Sequence, residues 1–204
     1  MSQLKLTAAS GGGTVAIKGP ASTTGNAAID LTVPGTASAT LDTLGRAGNI
    51  LQVLQTVKTD VASTNNVNSF EDISGMSVTI TPASTSSKIL VMVDMRLSTN
   101  TNRNITYRLM RGSTVIYVGD SAGSRTQATG GVRLTDDAKY DMQSETAIFL
   151  DSPSTTSATT YKIQWTQTYA SSGESMYINR SYVDNDTDDR NRCASSITVQ
   201  EVAG

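Results

Sequence analysis

Carboxylates alternate with neutral oxygen donors in Asp184-Asn185-Asp186-Thr187-Asp188-Asp189, the densest charge cluster of the chain. Hard oxygen ligands in this pattern suit a loop calcium site, with Asp184, Asp186 and Asp188 as the candidate ligands. The run departs from the EF-hand pattern, because Asp189 and Ser195 stand where that loop has its sixth-position glycine and twelfth-position glutamate. Arg190 and Arg192 follow and can neutralise the run, so a solvated acidic loop with no bound metal is the expectation. A second group of acids, Asp136-Asp137 with Asp141 and Glu145, is of the type that paired-carboxylate glycoside hydrolysis uses. Acids in exposed loops are ordinary, however, and no catalytic residue is assigned.

The basic residues Arg103, Arg108, Arg111, Arg125 and Arg133 are interleaved with Asn and Thr. Two readings stand for them: contact with acidic surface sugars or a neighbouring protein, and salt bridging to the Asp residues. Gly119-Asp120-Ser121-Ala122-Gly123-Ser124 has neither the spacing of a nucleotide-binding loop nor a helix after it. The sequons at Asn104, Asn179 and Asn185 read as surface loops.

The chain of 204 residues has no histidine and a single cysteine, Cys193. That removes Ser-His-Asp and Cys-His nucleophile chemistry, the commonest zinc ligand and any internal disulfide. The net charge of −2 and the lack of a basic block leave no electrostatic footprint for nucleic acid. No apolar stretch approaches the roughly 18 residues of a membrane span. Met1-Ser2-Gln3-Leu4-Lys5 lacks the apolar core of a secretory signal, so folding in a reducing cytoplasm is expected. No cofactor is implied.

The elements that would carry these residues are strands. The apolar share is only 37%, and abundant Thr, which suits the solvent face of a sheet, fills the difference. Thr14–Lys18 and Ala28–Val33 alternate apolar and polar residues and end at Gly19-Pro20 and Pro34-Gly35. Residues 1–35 thus form a short-strand segment too small to stand alone. Its apolar residues Val15, Ile17, Ile29, Leu31 and Val33 are candidates for attachment to sister chains or another protein. Residues 36–49 read as a linker.

From Ile50 the strand-like runs are Ile50–Thr59, Phe70–Thr81, Lys88–Ser98, Ile105–Arg111 and Thr114–Val118, a weak one at Val132–Leu134, then Glu145–Leu150, Thr160–Thr168, Ser175–Ile178 and Ser196–Val202. Turn signals, among them Ser74-Gly75 and Arg111-Gly112-Ser113, separate most of them. Strands at this spacing without amphipathic helices indicate an all-β sandwich or barrel over residues 50–204. In Lys88–Ser98, Ile89, Val91, Val93 and Met95 share one face and look like core. Leu90, Met92, Asp94 and Arg96 share the other, a mixture that suits a strand partly buried between subunits. Trp165 reads as a core anchor, with sugar stacking as the alternative.

Residues 50–204 also resemble tail-fibre and minor virion proteins of marine and cyanobacterial bacteriophages. The likeness is carried by Lys88–Val91, by Leu109-Met110-Arg111-Gly112-Ser113-Thr114-Val115-Ile116-Tyr117-Val118-Gly119-Asp120, by Leu150–Tyr161 and by Ala194–Val202. The Gly11–Pro20 and Leu31–Pro34 stretches resemble a phage attachment segment. The resemblance implies a jelly-roll-like head similar to complement and tumour-necrosis-factor heads, usually a homotrimer. It would reside in the virion, be assembled in the host cytoplasm, dock on tail or capsid proteins through its N-terminus and present the head to a host-surface glycan. Capsid decoration without a receptor role and polysaccharide depolymerisation are the rival readings.

Overall fold

The computed structural model describes residues 46–204 apart from 101–102, 136–137 and 169–173. Val15, Ile17, Ile29, Leu31 and Val33 lie outside the described residues, as do Asp136 and Asp137.

Among the described residues the strands are β1 (Ile50–Lys58), β2 (Ala62–Thr64), β3 (Glu71–Ile80), β4 (Lys88–Thr99), β5 (Asn104–Arg111), β6 (Thr114–Ile116), β7 (Gly130–Arg133), β8 (Gln143–Asp151), β9 (Thr159–Gln167), β10 (Met176–Ile178) and β11 (Ser195–Val202). A 3-10 turn covers Ala138–Tyr140. Every named strand pairing is antiparallel.

Several short strands are collinear pieces of one row. β11 and β10 pair with successive stretches of the same edge of β4, and β1 and β2 pair with β11 and β10 in turn. Likewise β6 and β7 pair with successive stretches of one edge of β5. Merged in this way, one sheet has the row order β1/β2, β11/β10, β4, β8, and the other has β3, β9, β5, β6/β7. Numbered along the chain, the rows run 1-8-3-6 and 2-7-4-5, which is the order of an eight-stranded jelly roll. β1 lies beside β3 and β7 beside β8, so the two sheets meet along both sides.

Period-two alternation explains the core. Ile89, Val91, Val93, Met95 and Leu97 of β4 point inward against Tyr161, Ile163 and Trp165 of β9 and Ile105, Tyr107 and Leu109 of β5, all buried. In β3 the alternation changes phase, with Ile73 and Met76 both buried. The register against β9 shifts between Asp72 and Ser77, and Gly75 has φ +81°. Ser74-Gly75 is therefore not a turn between strands but a bulge inside one, made possible by a residue without a Cβ. The aliphatic stem of buried Lys58 packs over Gly75, and its ammonium reaches Asp60 at 2.8 Å.

Two long excursions leave these rows. Residues 117–129 depart between β6 and β7, and residues 179–194 depart between β10 and β11. At the base of the first, Thr129 fills the gap in the ladder: its Oγ1 accepts the Leu109 N–H at 2.8 Å and donates to the Tyr117 carbonyl at 2.8 Å.

Candidate functional site

The broadest candidate surface is the outer face of the sheet that contains β4. The registers place three rows across its four strands. The first is Val53, Gln200, Leu90 and Leu150, the second Gln55, Thr198, Met92 and Ile148, and the third Val57, Ser196, Asp94 and Thr146. Asp94 is the only charged residue in these rows, and Arg96 pairs with it. Four apolar side chains stand well exposed: Ile148 at 64%, Val57 at 53%, Val53 at 52% and Leu150 at 45%. A strand face of that kind is usually covered by a partner. Leu90 and Met92 were readable from the sequence as the second face of β4. Ile148 and Leu150 join them only through the β4–β8 register.

The arginines disperse. Arg103 pairs with Glu174. Arg108 donates Nε and Nη2 to Gln164 Oε1 at 2.9 and 2.7 Å and lies 4.1 Å over the Phe70 ring. Arg111 donates Nη1 to both oxygens of Asp151 at 2.9 Å. Arg125 and Arg133 alone converge, on a polar cavity of about 480 Å³ between the 117–129 excursion and the outer side of β5 and β7. Asn104, Thr106 and Thr168 also line it, and no acid does among the described residues. The hydroxyls of Thr106 and Thr168 are 3.1 Å apart.

Glu145 and Asp141 form no acid pair. Glu145 accepts the Tyr107 hydroxyl at 3.3 Å, and burial raises its carboxyl above the usual range. Of the sequons, Asn104 opens β5 and Asn179 is fully buried, so these two are not surface loops. Asn179 donates to the Lys58 and Asp60 carbonyls at 2.8 and 3.0 Å and accepts the Ser195 hydroxyl at 2.6 Å. Its side chain thus ties the excursion that leaves after β10 to the junction of β1 and β2.

The acidic run belongs to the second excursion. Asp184 is gripped by two guanidiniums: Arg192 donates Nη2 to it at 2.7 Å, and Arg180 Nη1 lies at 3.1 Å. Arg190 pairs with Asp189 and lies 4.2 Å over the Tyr140 ring. Asp186 and Asp188 are exposed. Among the described residues no three acidic or thiol groups converge as metal ligands.

The hydrogen bonds from Arg192 outweigh burial and, with the charge of Arg180, hold the Asp184 carboxyl below its ordinary value. A lowered acid stabilises above the unfolded value of about 3.9 and loses that contribution as pH falls through its own lower value. Asp184→Asn at neutral pH is therefore expected to speed tryptic cleavage at Arg190 and Arg192 by roughly two- to fivefold, with global unfolding unchanged. Proton NMR of the Tyr177 and Tyr182 rings, which pack edge to face at 5.9 Å, should report the same release in the wild-type chain under acid.

The described residues form an eight-row antiparallel jelly roll with a neutral sheet face and a polar cavity on opposite sheets. No family model matches the chain, and no curated protein matches it. Among solved structures, that of the Gt strain of infectious bursal disease virus aligns at a TM-score of 0.41 with 11% identity, covering 85% of this chain and 42% of that one. The structure of the Gx strain of the same virus aligns at a TM-score of 0.36, with 11% identity and the same coverages of 85% and 42%. The chain therefore spans less than half the length of those chains.

Proposed function

We propose that this chain is a structural subunit of a virion, a short fibre or spike that works by association and not by catalysis. Residues 1–35 attach it to the particle, and the jelly roll is the head, grouped as a homotrimer. The bacteriophage assignment rests on the resemblance of residues 50–204 to tail-fibre and minor virion proteins.

The observation that carries the associative reading is the neutral outer face of the β1–β11–β4–β8 sheet. Its three rows across four strands cover on the order of 400 Å², about half of the roughly 800 Å² that each partner buries in a stable interface. A polar rim supplies the rest. The occupant is a second copy of the chain. A face whose one charge, Asp94, is paired with Arg96 needs no oppositely charged partner, and at a net charge of −2 the copies repel one another only weakly.

Light scattering on the full chain tests this. Trimers are expected for the wild type, and Ile148→Asp should release monomers with an unchanged circular-dichroism spectrum, because a buried unpaired carboxylate opposes association. A full chain that is monomeric at every concentration overturns the homotypic face. Particle incorporation that survives removal of residues 1–35 overturns the attachment role.

A further inference from the structure

We infer that three copies set their neutral sheet faces around a common axis as the walls of a three-sided prism, with β8 of each copy meeting β1 of the next at the corners. This rests on the associative reading above and states how the face is covered.

The face is apolar at its edges and polar towards its middle. Val53 and Val57 stand on β1, and Ile148 and Leu150 on β8, the two edge strands of the sheet at this level. Gln200, Thr198 and Ser196 of β11 hold the same rows between them. Solvated edge strands usually carry a lysine, a proline or a bulge that wards off a partner. β8 has none of these: it runs nine residues in unbroken register with β4, from Gln143 opposite Leu97 to Asp151 opposite Ile89. Its two acids turn inward, Glu145 to Tyr107 and Asp151 to Tyr161. β1 holds no charge before Lys58, and its register shift falls at Ile50 and Gln52, ahead of Val53.

The distribution selects the arrangement. Two copies packed face to face would place β11 at the centre of the contact and the apolar edges at its border. That reverses the usual order of an apolar core and a polar rim. A corner contact puts the edge residues at its centre instead. A three-fold ring also needs two different surfaces on every copy, and the β8 and β1 borders are two such surfaces.

The dimensions favour three copies. At roughly 4.8 Å per strand, the four strands β1, β11, β4 and β8 span about 19 Å. Three walls of that width stand about 5.5 Å from their axis, close to half of the roughly 10 Å that separates packed sheets. The side chains of three faces therefore fill the space between them. Four walls would stand about 10 Å away and leave an open channel. Around the axis, the Gln200 amides and Thr198 hydroxyls of the copies both donate and accept, so they can satisfy one another. Asp94 enters the third row already paired with Arg96, so it brings no unpaired charge there.

Rotation about an axis along the strands leaves height unchanged, so the row that holds Val53 and Leu150 in one copy continues into the next. Leu150 thus meets Val53 of the neighbouring copy, and Thr146 meets its Val57. Cross-linking of the full chain with a short bismaleimide tests this, in a Cys193→Ser background that removes the one native thiol. The double variant Val53→Cys with Leu150→Cys should give covalent dimers and trimers on a denaturing gel, and so should Val57→Cys with Thr146→Cys. Each single variant should give none, with circular dichroism as in the wild type. Dimers from Leu150→Cys alone would show β8 against β8, a two-fold contact, and overturn the inference. So would trimers in light scattering that yield no cross-linked chain from either double variant, an outcome that leaves the associative reading standing. A chain that scatters as a monomer throughout removes both.

Discussion

Asp151→Ala is expected to cost the head about 3 kcal/mol of stability, near the lower end of the range for breaking a buried ion pair. Asp151 closes β8 and is 5% exposed. It accepts Arg111 Nη1 on both oxygens at 2.9 Å and the Tyr161 hydroxyl at 2.6 Å. Arg111 and Tyr161 belong to β5 and β9, so this one carboxylate ties the two sheets together. Removing it strands a guanidinium and a buried phenol. The guanidinium side is 30% exposed and recovers some water, which is why the lower end of the range applies. Burial and the bond to Asp151 push the Tyr161 hydroxyl well above its usual value, so it remains a donor at any working pH. Tyr161→Phe should cost less, about 1–2 kcal/mol, since it removes one donor and leaves the ion pair. Urea titration followed by the fluorescence of the single tryptophan measures both. The midpoint should fall with the slope unchanged. A loss below about 1 kcal/mol for Asp151→Ala would show that water replaces the carboxylate and that the sheets do not depend on it.

The network around Asp151 also marks where reading the sequence stops. Alternation in Lys88–Ser98 identified both faces of β4, because period two is a local property of a strand. The same local signal located β1, β3, β5, β8, β9 and β11 to within about two residues. What alternation cannot carry is pairing. Nothing near Arg111 announces Asp151, which arrives from forty positions away, and nothing near Arg103 announces Glu174. The basic set therefore stood open between a contact surface and salt bridging, whereas three of its members are tied down by distant segments and only Arg125 and Arg133 share a cavity. β2 was missed for a related reason. Ala62–Thr64 is short and polar, and it is a strand only because β10 lies beside it. The weak run at Val132–Leu134 proved to be the strand Gly130–Arg133. Its two glycines lower strand propensity but are needed there, since a Cβ on Gly130 would come within 2.4 Å of the Tyr107 hydroxyl.

The acidic run shows the opposite case. Arg190 and Arg192 sit beside the carboxylates in sequence, so neutralisation within the loop could be read directly. Arg180, on the far side of the run, completes the grip on Asp184. The cavity had no such local sign. Its lining comes from the start of β5, the residue just after β9, β7 and the 117–129 excursion, and its two glycines, Gly130 and Gly131, precede a run that gave only a weak strand signal.

Trp165→Ala should be still more damaging, by about 3–5 kcal/mol, and the result decides between the two roles that its residue type allows. The indole is 2% exposed. It sits in β9 between Glu71 of β3 and Tyr107 of β5, inside the sheet whose outer side carries the cavity. Truncation leaves a void that the flanking strands cannot close, because both are held in register by their own ladders. At this chain length the unfolding temperature should drop by about 10 °C or more. A stacking platform for a sugar would behave otherwise: the fold would survive and saccharide binding would vanish. The neutral face lies on the other sheet, so Trp165→Ala should leave its residues unaltered at temperatures where the head remains folded. Calorimetric unfolding together with light scattering below the transition is the measurement. An unfolding temperature within about 2 °C of the wild type would remove Trp165 from the core and return it to the surface chemistry of the head.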